Sequence, residues 1–188
     1  MRVIAGTAKG RKLLAVPGDG TRPILDRVKT PLFDILRPEI QGARVLDLFA
    51  GSGAVGIEAL SQGAAHCTFL DLSRPAIDTI KANLETTGFV ANAEVRHYDA
   101  FSFLRNSAKS FDLIYVAPPQ YESLWVQAMQ TIAERPEIVT PTGLVVVQID
   151  PKEYETLDLT QFKETEQRKY GSTLLVFYRP IATAPPRS

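Results

Sequence analysis

Three aspartates lie where apolar segments of this 188-residue chain end, and each could hold part of a ligand. Asp47 ends the first segment, Asp71 the second, and Asp99 follows the third. A carboxylate at Asp47 would attract an ammonium group and repel a pyrophosphate. Asp71 is in reach of ribose hydroxyls, and Asp99 of an adenine amine. The set predicts a site for S-adenosylmethionine, although Asp71 and Asp99 also fit purely structural strand-end and helix-capping roles.

A glycine-rich loop, Gly51-Ser52-Gly53, follows Asp47 closely. Such glycines let the backbone turn tightly beside a ligand before a helix begins. The loop also fits the Gly-x-Gly-x-x-Gly dinucleotide pattern, so glycines alone leave a nicotinamide cofactor open. We expect the cofactor to contact Asp47, Phe49, Ala50, Gly51, Ser52, Gly53, Asp71, Leu72, Asp99 and Ala100.

A second chemical motif follows the fourth apolar segment, in Ala117-Pro118-Pro119-Gln120-Tyr121. Two prolines directly after a strand make a stiff turn at the ligand edge. The carbonyls of Ala117 and Pro118 could accept hydrogen bonds from an incoming amine, and Tyr121 offers a ring on which a base can stack. Ala117, Pro118, Pro119 and Tyr121 are therefore the predicted catalytic residues, although a rigid turn without chemistry is the plain alternative.

Short apolar segments alternate with amphipathic ones and predict the elements that carry these motifs. Strands are expected at 44–49, 67–70, 94–97, 113–116 and 144–149, with helices near 53–63, 73–87, 100–107 and 121–134. This repeated order predicts an α/β fold with a parallel, doubly wound sheet and helices on both faces. An antiparallel hairpin, 162–169 with 173–178, closes one edge. Ser73 is placed to cap the second helix.

The two ends of the chain differ from this body. Residues 1–30 carry seven basic and two acidic side chains, although the whole chain has a formal net charge of zero. This basic arm suits a phosphate backbone, though an ordinary solvated terminus has the same composition. Residues 2–16 read as alternating strands of a β-hairpin, and Thr30-Pro31 as the start of a helix to about Ile40. The catalytic α/β domain is placed at 31–179, and a disordered tail at 180–188.

Composition excludes several other classes of protein. The longest apolar stretches are strand-sized, so no segment is expected to span a membrane, and the cytoplasm is the predicted compartment. Cys67 is the single cysteine and fits a core position, and His66 and His97 fit structural roles. No metal site is predicted, and we expect a monomer.

Taken together, these motifs resemble the RsmD-type family of bacterial 16S ribosomal RNA (guanine-N2) methyltransferases. The resemblance runs from residue 1 to about 179, and its most specific part is the arm, with Thr21-Arg22-Pro23 and Asp26-Arg27-Val28. It implies a Rossmann-like, seven-stranded mixed sheet, S-adenosylmethionine as cofactor, a guanine amine as acceptor and the small ribosomal subunit as partner. It further implies that the basic extension engages RNA and helps to cover the cofactor. The RNA-binding residues so predicted are Arg2, Lys9, Arg11, Lys12, Arg22 and Arg27. By the same resemblance Thr21, Arg22 and Arg27 would lie at the mouth of the cleft.

One position departs from the family pattern. The family has Asp or Asn where this chain has Ala117, and that side chain accepts a hydrogen bond from the target amine. Losing one such bond would slow transfer by roughly two to three orders of magnitude. Backbone carbonyls, Gln120 or a carboxylate from elsewhere could compensate. Three alternatives therefore stay open: a silent RNA-binding homologue that aids ribosome assembly, a methyltransferase for DNA or a protein amide, and an oxidoreductase.

Overall fold

The computed structural model describes residues 1–18 and 23–182, and its centre is a seven-stranded sheet. The strands stand in the order β3-β2-β1-β4-β5-β7-β6. The first five pair in parallel, whereas β7 pairs antiparallel with both β5 and β6. The strands are β1 (Arg44–Asp47), β2 (His66–Asp71), β3 (Ala93–His97), β4 (Phe111–Val116), β5 (Val139–Ile149), β6 (Phe162–Tyr170) and β7 (Thr173–Pro180).

Helices cover both faces of the sheet, because the central strands are apolar on both sides. They are α1 (Asp26–Ile40), α2 (Ala54–Ser61), α3 (Arg74–Thr87), α4 (Ala100–Asn106) and α5 (Leu124–Glu134). The first three helices and the N-terminal segment pack on one face, and α4 and α5 pack on the other. This arrangement confirms the predicted doubly wound, mixed sheet. The Ser73 hydroxyl accepts a hydrogen bond from the Ala76 amide and caps α3, as predicted.

The predicted start of the first helix was wrong. The helix begins at Asp26, so Thr30 and Pro31 lie inside it and the proposed boundary between residues 30 and 31 cuts the helix. Pro31 is tolerated although it removes one helical donor. The reason is tertiary: Val28 and Lys29, before the proline, are buried and gain more from packing than the lost bond costs.

The N-terminal β-hairpin was also wrong in form. Residues 1–16 make a single antiparallel bridge, between Arg2 and Lys12, and otherwise follow the body of the protein as a loop. Backbone hydrogen bonds flank this bridge, from the Val3 amide to the Arg11 carbonyl and from the Leu13 amide to the Met1 carbonyl, both at 2.9 Å, but no regular strand forms. Other backbone groups of the segment bond to side chains of the body. Glu58, for example, accepts hydrogen bonds from the amides of Ile4 and Ala5 at 2.8 and 3.1 Å.

Two further boundaries differ from expectation. The last helix begins at Leu124, so Tyr121 lies in the loop before it. The C-terminal tail cannot start at residue 180, because Pro180 ends β7 and the Ile181 amide donates to the Gln161 carbonyl at 2.9 Å. The rest of the predicted tail, from 183, lies outside the described residues. Within the described ranges no helix combines the length and the apolar character that crossing a membrane requires.

Candidate functional site

The glycine loop leaves β1 at Asp47 and enters α2 at Ala54, at the carboxyl end of the parallel strands. Neighbouring strands hold it from both sides: the Leu48 amide donates to the Tyr115 carbonyl at 3.0 Å, and the Ala50 amide donates to the Leu70 carbonyl at 2.9 Å. Gly53 has φ 81°, which a side chain would strain. The loop is therefore a shaped, anchored turn where ligands of such sheets bind.

Gly56, one turn into α2, is needed for the packing behind this loop. A β-carbon there would lie 2.3 Å from the Phe69 ring and 2.6 Å from the Cys67 sulfur. Only glycine lets α2 approach β2 so closely. The Gly56 amide is also the donor to Asp47, at 3.1 Å, so close packing and the placement of that carboxylate depend on the same residue.

Asp47 is the most perturbed acid of the loop. It is buried beneath the glycines, and this burial raises the pKa of its carboxyl to about 7. The Gly56 amide opposes that effect, and the negative charge of Asp71 adds to it. A cationic ligand group beside Asp47 would favour the charged carboxylate, so the environment fits an ammonium partner.

The other two predicted acids already have structural partners. Asp71 accepts hydrogen bonds from the Gly51 amide at 2.9 Å and the Ser73 amide at 2.8 Å, and so joins the loop to the start of α3. Asp99 caps α4 by accepting from the Ser102 amide at 2.8 Å. Asp71 and Asp99 thus have the structural strand-end and helix-capping roles that the sequence also allowed. A carboxylate has about four acceptor positions, so neither role prevents ligand contact.

Exposed apolar side chains lie at the same edge of the sheet. Leu72, Tyr98 and Tyr121 follow β2, β3 and β4, and Leu72 is 66% exposed. The Leu72 backbone is fixed, since its carbonyl hydrogen-bonds to the His97 ring at 2.7 Å. Apolar surface left open beside Asp71 is where a flat purine would pack. Of the remaining predicted contacts, Phe49 packs edge-on against Phe101, and Ala50 and Ala100 are buried.

Sequence reasoning missed Asn83, which joins the glycine loop to the N-terminal segment. Its buried side chain accepts from the Leu14 amide at 2.7 Å and donates to the carbonyls of Leu14 and Ser52, at 3.0 and 2.9 Å. The sequence did carry a signal for this role, because Asn83 is a polar residue on the otherwise apolar face of α3 formed by Ile77, Ile80 and Leu84.

The proline rim after β4 is held by the turn after β5. Tyr121 has φ 65°, an uncommon value for a large side chain. Its hydroxyl donates to Asp150 at 2.8 Å and its amide donates to Glu153 at 2.7 Å. The ring is 64% exposed at the sheet edge, as a stacking surface requires. Neither acid was predicted to take part.

The basic arm is fastened to the body through a buried ion pair. The Lys29 ammonium lies 3.1 Å from the Glu58 carboxylate, with both side chains out of solvent, and donates to the Arg2 carbonyl at 2.8 Å. Lys29 is therefore a core residue and not free for RNA. Arg2, Lys9, Arg11, Lys12 and Arg27 are all exposed. Arg22 and Thr21 lie outside the described residues.

Two other features of the described ranges bear on where the candidate site lies. No group of three or more His, Cys, Asp or Glu side chains there could hold a metal ion. A cleft of about 480 Å³ lies at the opposite end of β5, beside Val139, Thr140 and Pro180. Parallel sheets bind ligands at the carboxyl ends of their strands, so we place the functional site at the glycine loop.

The sheet order and the acid-lined glycine loop are those of the class I methyltransferases, whose methyl donor is S-adenosylmethionine. Residues 1–179 match the family described as conserved hypothetical protein 95, and the chain belongs to that family, which is the RsmD-type family. Its relatives include YlbH of Bacillus subtilis, 38% identical over 95% of this chain and 98% of that one. Ribosomal RNA small subunit methyltransferase D of Haemophilus influenzae is 37% identical over 80% of this chain and 79% of its own length. The solved structure of yhhF from Escherichia coli covers 97% of this chain and 99% of its own, with a TM-score of 0.87 and 30% identity.

Proposed function

We propose that the chain transfers a methyl group from S-adenosylmethionine to the exocyclic N2 amine of a guanine in small-subunit ribosomal RNA. One observation carries the proposal. The acid-lined loop after β1 and the proline rim after β4 belong to adjacent strands and open at the same edge, with Asp47 directly opposite Tyr115 in the sheet. A donor held by the first would face an acceptor held by the second. A ribosomal substrate implies work in the cytoplasm.

The described residues fit the cofactor part by part. Asp47 would hold the ammonium group, Asp71 the ribose hydroxyls and Asp99 the adenine amine, while Leu72 would pack on the adenine. The bound cofactor supplies an electrophilic methyl group on a sulfonium sulfur. The chain supplies position, which brings the acceptor nitrogen into line with that methyl group.

On the acceptor side, the rim would bind a base turned out of the RNA. The Ala117 and Pro118 carbonyls accept from the amine, and Tyr121, fixed by Asp150 and Glu153, stacks on the ring. The five exposed basic residues of the arm would bind the phosphates around it. The relative named as a small-subunit methyltransferase supports ribosomal RNA as the substrate.

The test is transfer of labelled methyl groups from S-adenosylmethionine to purified small ribosomal subunits that lack the modification. We expect one labelled guanine and a product methylated at N2. Asp47→Asn should weaken cofactor binding and slow transfer, and Asp158→Asn, at an exposed acid after the β5 turn, is the matched control. Labelling of another base or of DNA would refute the proposed acceptor.

A second function is favoured by one residue, Ala117, which has no side-chain acceptor. A chain that binds S-adenosylmethionine and ribosomal RNA without transferring the methyl group would be a silent assembly factor. The same assay separates the two, because calorimetric cofactor binding with no transfer to any RNA supports the silent form. Binding of a nicotinamide dinucleotide in its place would exclude both.

A further inference from the structure

Position 117 is the weak point of the proposed acceptor site, and a polar side chain lies beside it in the sheet. Val116, the last residue of β4, pairs with Val147 of β5, and the residues that follow this pair at the carboxyl edge are Ala117 and Gln148. Both face the same layer: Ala117 packs against the core on the α1–α3 side, and Gln148 pairs with Leu175, a buried member of that core.

The Gln148 amide is held in place and partly buried. The Tyr115 hydroxyl donates to its carbonyl oxygen, Oε1. Tyr115 is a buried neighbour of Asp47, and this burial, with the Asp47 charge, raises the pKa of its hydroxyl well above the usual value. Tyr115 therefore stays a proton donor at any physiological pH. Asp47, Tyr115 and Gln148 thus form a polar row across β1, β4 and β5.

The carboxylates near the rim hold the stacking residue. Asp150 accepts from the Tyr121 hydroxyl and from the Lys152 amide, and Glu153 accepts from the amides of Tyr121 and Asp150. Gln148 follows the residue that pairs with Val116, so it lies nearest in register to position 117. Its carbonyl oxygen, with one donor, retains capacity for a second.

We propose that Gln148 Oε1 accepts a hydrogen bond from one of the two hydrogens of the target amine, in place of the side-chain acceptor that Ala117 lacks, while a single carbonyl of the proline rim accepts the other. This inference rests on the proposed function. The amine lone pair forms the new nitrogen–carbon bond, while the carbon–sulfur bond breaks and its electron pair stays on sulfur. A neutral amide cannot take up the released proton, which therefore leaves the nitrogen for water. Gln148 directs the lone pair, and Tyr115 fixes the direction of Gln148.

The experiment compares Gln148→Leu with the unchanged chain in the subunit-methylation assay. Leucine keeps most of the volume but has no acceptor, so kcat should fall about 100-fold or more. Affinity for S-adenosylhomocysteine should stay within about twofold, because the cofactor is held by other residues. Gln167→Leu, at an exposed glutamine of β6, is the matched control and should leave all values unchanged.

Tyr115→Phe keeps the inference testable if Gln148→Leu folds poorly. It removes the hydroxyl that fixes the amide and should lower kcat about tenfold with KM for the subunit unchanged. When Gln148→Leu is folded, adding Ala117→Asp to it restores an acceptor at the neighbouring position and should recover at least tenfold of the lost rate.

The outcomes separate the two proposals. Transfer by the unchanged chain with equal kcat in Gln148→Leu would overturn the role of Gln148 and leave the proposed function standing. Equal loss of cofactor affinity and kcat would also overturn it, because that pattern indicates a structural role. No transfer by the unchanged chain to any RNA would refute both.

Discussion

Replacing Asn83 with alanine should disconnect the N-terminal segment from the glycine loop. The side chain makes three hydrogen bonds in a fully buried position, two to Leu14 and one to the Ser52 carbonyl. Alanine preserves the helix, since it is the best helix former, but it removes all three hydrogen bonds at once. The variant therefore tests the junction without disturbing α3 itself.

The three bonds set the size of the effect. At about 1 kcal/mol each, their loss should cost about 3 kcal/mol of unfolding free energy. For a domain of this size that corresponds to a fall in Tm of roughly 6–12 °C. The bond to Ser52 alone, at about 1 kcal/mol, should lower the affinity for S-adenosylhomocysteine about fivefold, because the loop is then less well placed.

Urea unfolding and calorimetry measure the two effects separately. Asn92→Ala is the matched control, because Asn92 is exposed and makes one weak contact, 3.4 Å from the Ala65 carbonyl. It should change stability by less than about 0.5 kcal/mol. If Asn83→Ala unfolds within that same margin of the unchanged chain, the junction does not exist in solution and the reasoning is refuted.

Three other predictions follow from single contacts. Lys29→Met leaves the buried Glu58 carboxylate without its cation and should destabilise the chain by about 3–5 kcal/mol. Arg37→Met, which breaks the exposed ion pair with Asp34, is the control and should cost under about 1 kcal/mol. Urea unfolding midpoints measure both, and equal midpoints would contradict the buried pair. Burial raises the Asp47 pKa to about 7, so below that pH the ligand ammonium must displace a proton. By the linkage relation, affinity for S-adenosylhomocysteine should rise about eightfold from pH 5.5 to about 6.5 and level off near pH 8. Calorimetry in two buffers of different ionisation heat reports the released proton, and a flat profile would show that the ammonium lies elsewhere. Neutralising Arg11 and Lys12 together should weaken RNA binding and reduce its salt slope by about 2, with cofactor affinity unchanged; loss of both affinities would indicate a folding role for the arm.

The regular part of the fold could be predicted because its signals are local. Each central strand is a run of apolar residues with turn-forming or polar residues at both ends. Because these runs alternate with helical patterns, only a few sheet topologies are compatible with the sequence. The start of α1 could not be predicted in the same way. Thr30-Pro31 is a good local signal for the start of a helix. The helix begins earlier because Lys29 forms an ion pair with Glu58, which is far along the chain, and no local pattern encodes that pairing.

The candidate site likewise contains residues that local sequence signals predict and residues that depend on contacts between distant parts of the chain. Asp47 and the glycines were predictable, because residues at the carboxyl ends of parallel strands must share one edge. Asn83 and Gln148 were not, because each looks like an isolated polar residue among apolar neighbours. Their importance depends on partners, Leu14 and Ser52 for one and Tyr115 for the other, that only the folded chain brings near.

The way the arm is attached bears on how the proposed enzyme would bind RNA. A flexible basic tail pays conformational entropy for every phosphate contact it makes. Here the amides of Ile4 and Ala5 are fixed by Glu58, and Leu14 by Asn83, so Arg2, Lys9, Arg11 and Lys12 project from a backbone that is already ordered. The same two anchors belong to α2 and α3, the helices that follow the glycine loop and the Asp71 turn. The surface proposed for RNA and the loop proposed for the cofactor are therefore parts of one rigid unit, and the distance between a bound phosphate and the methyl donor is set by the fold before either ligand arrives.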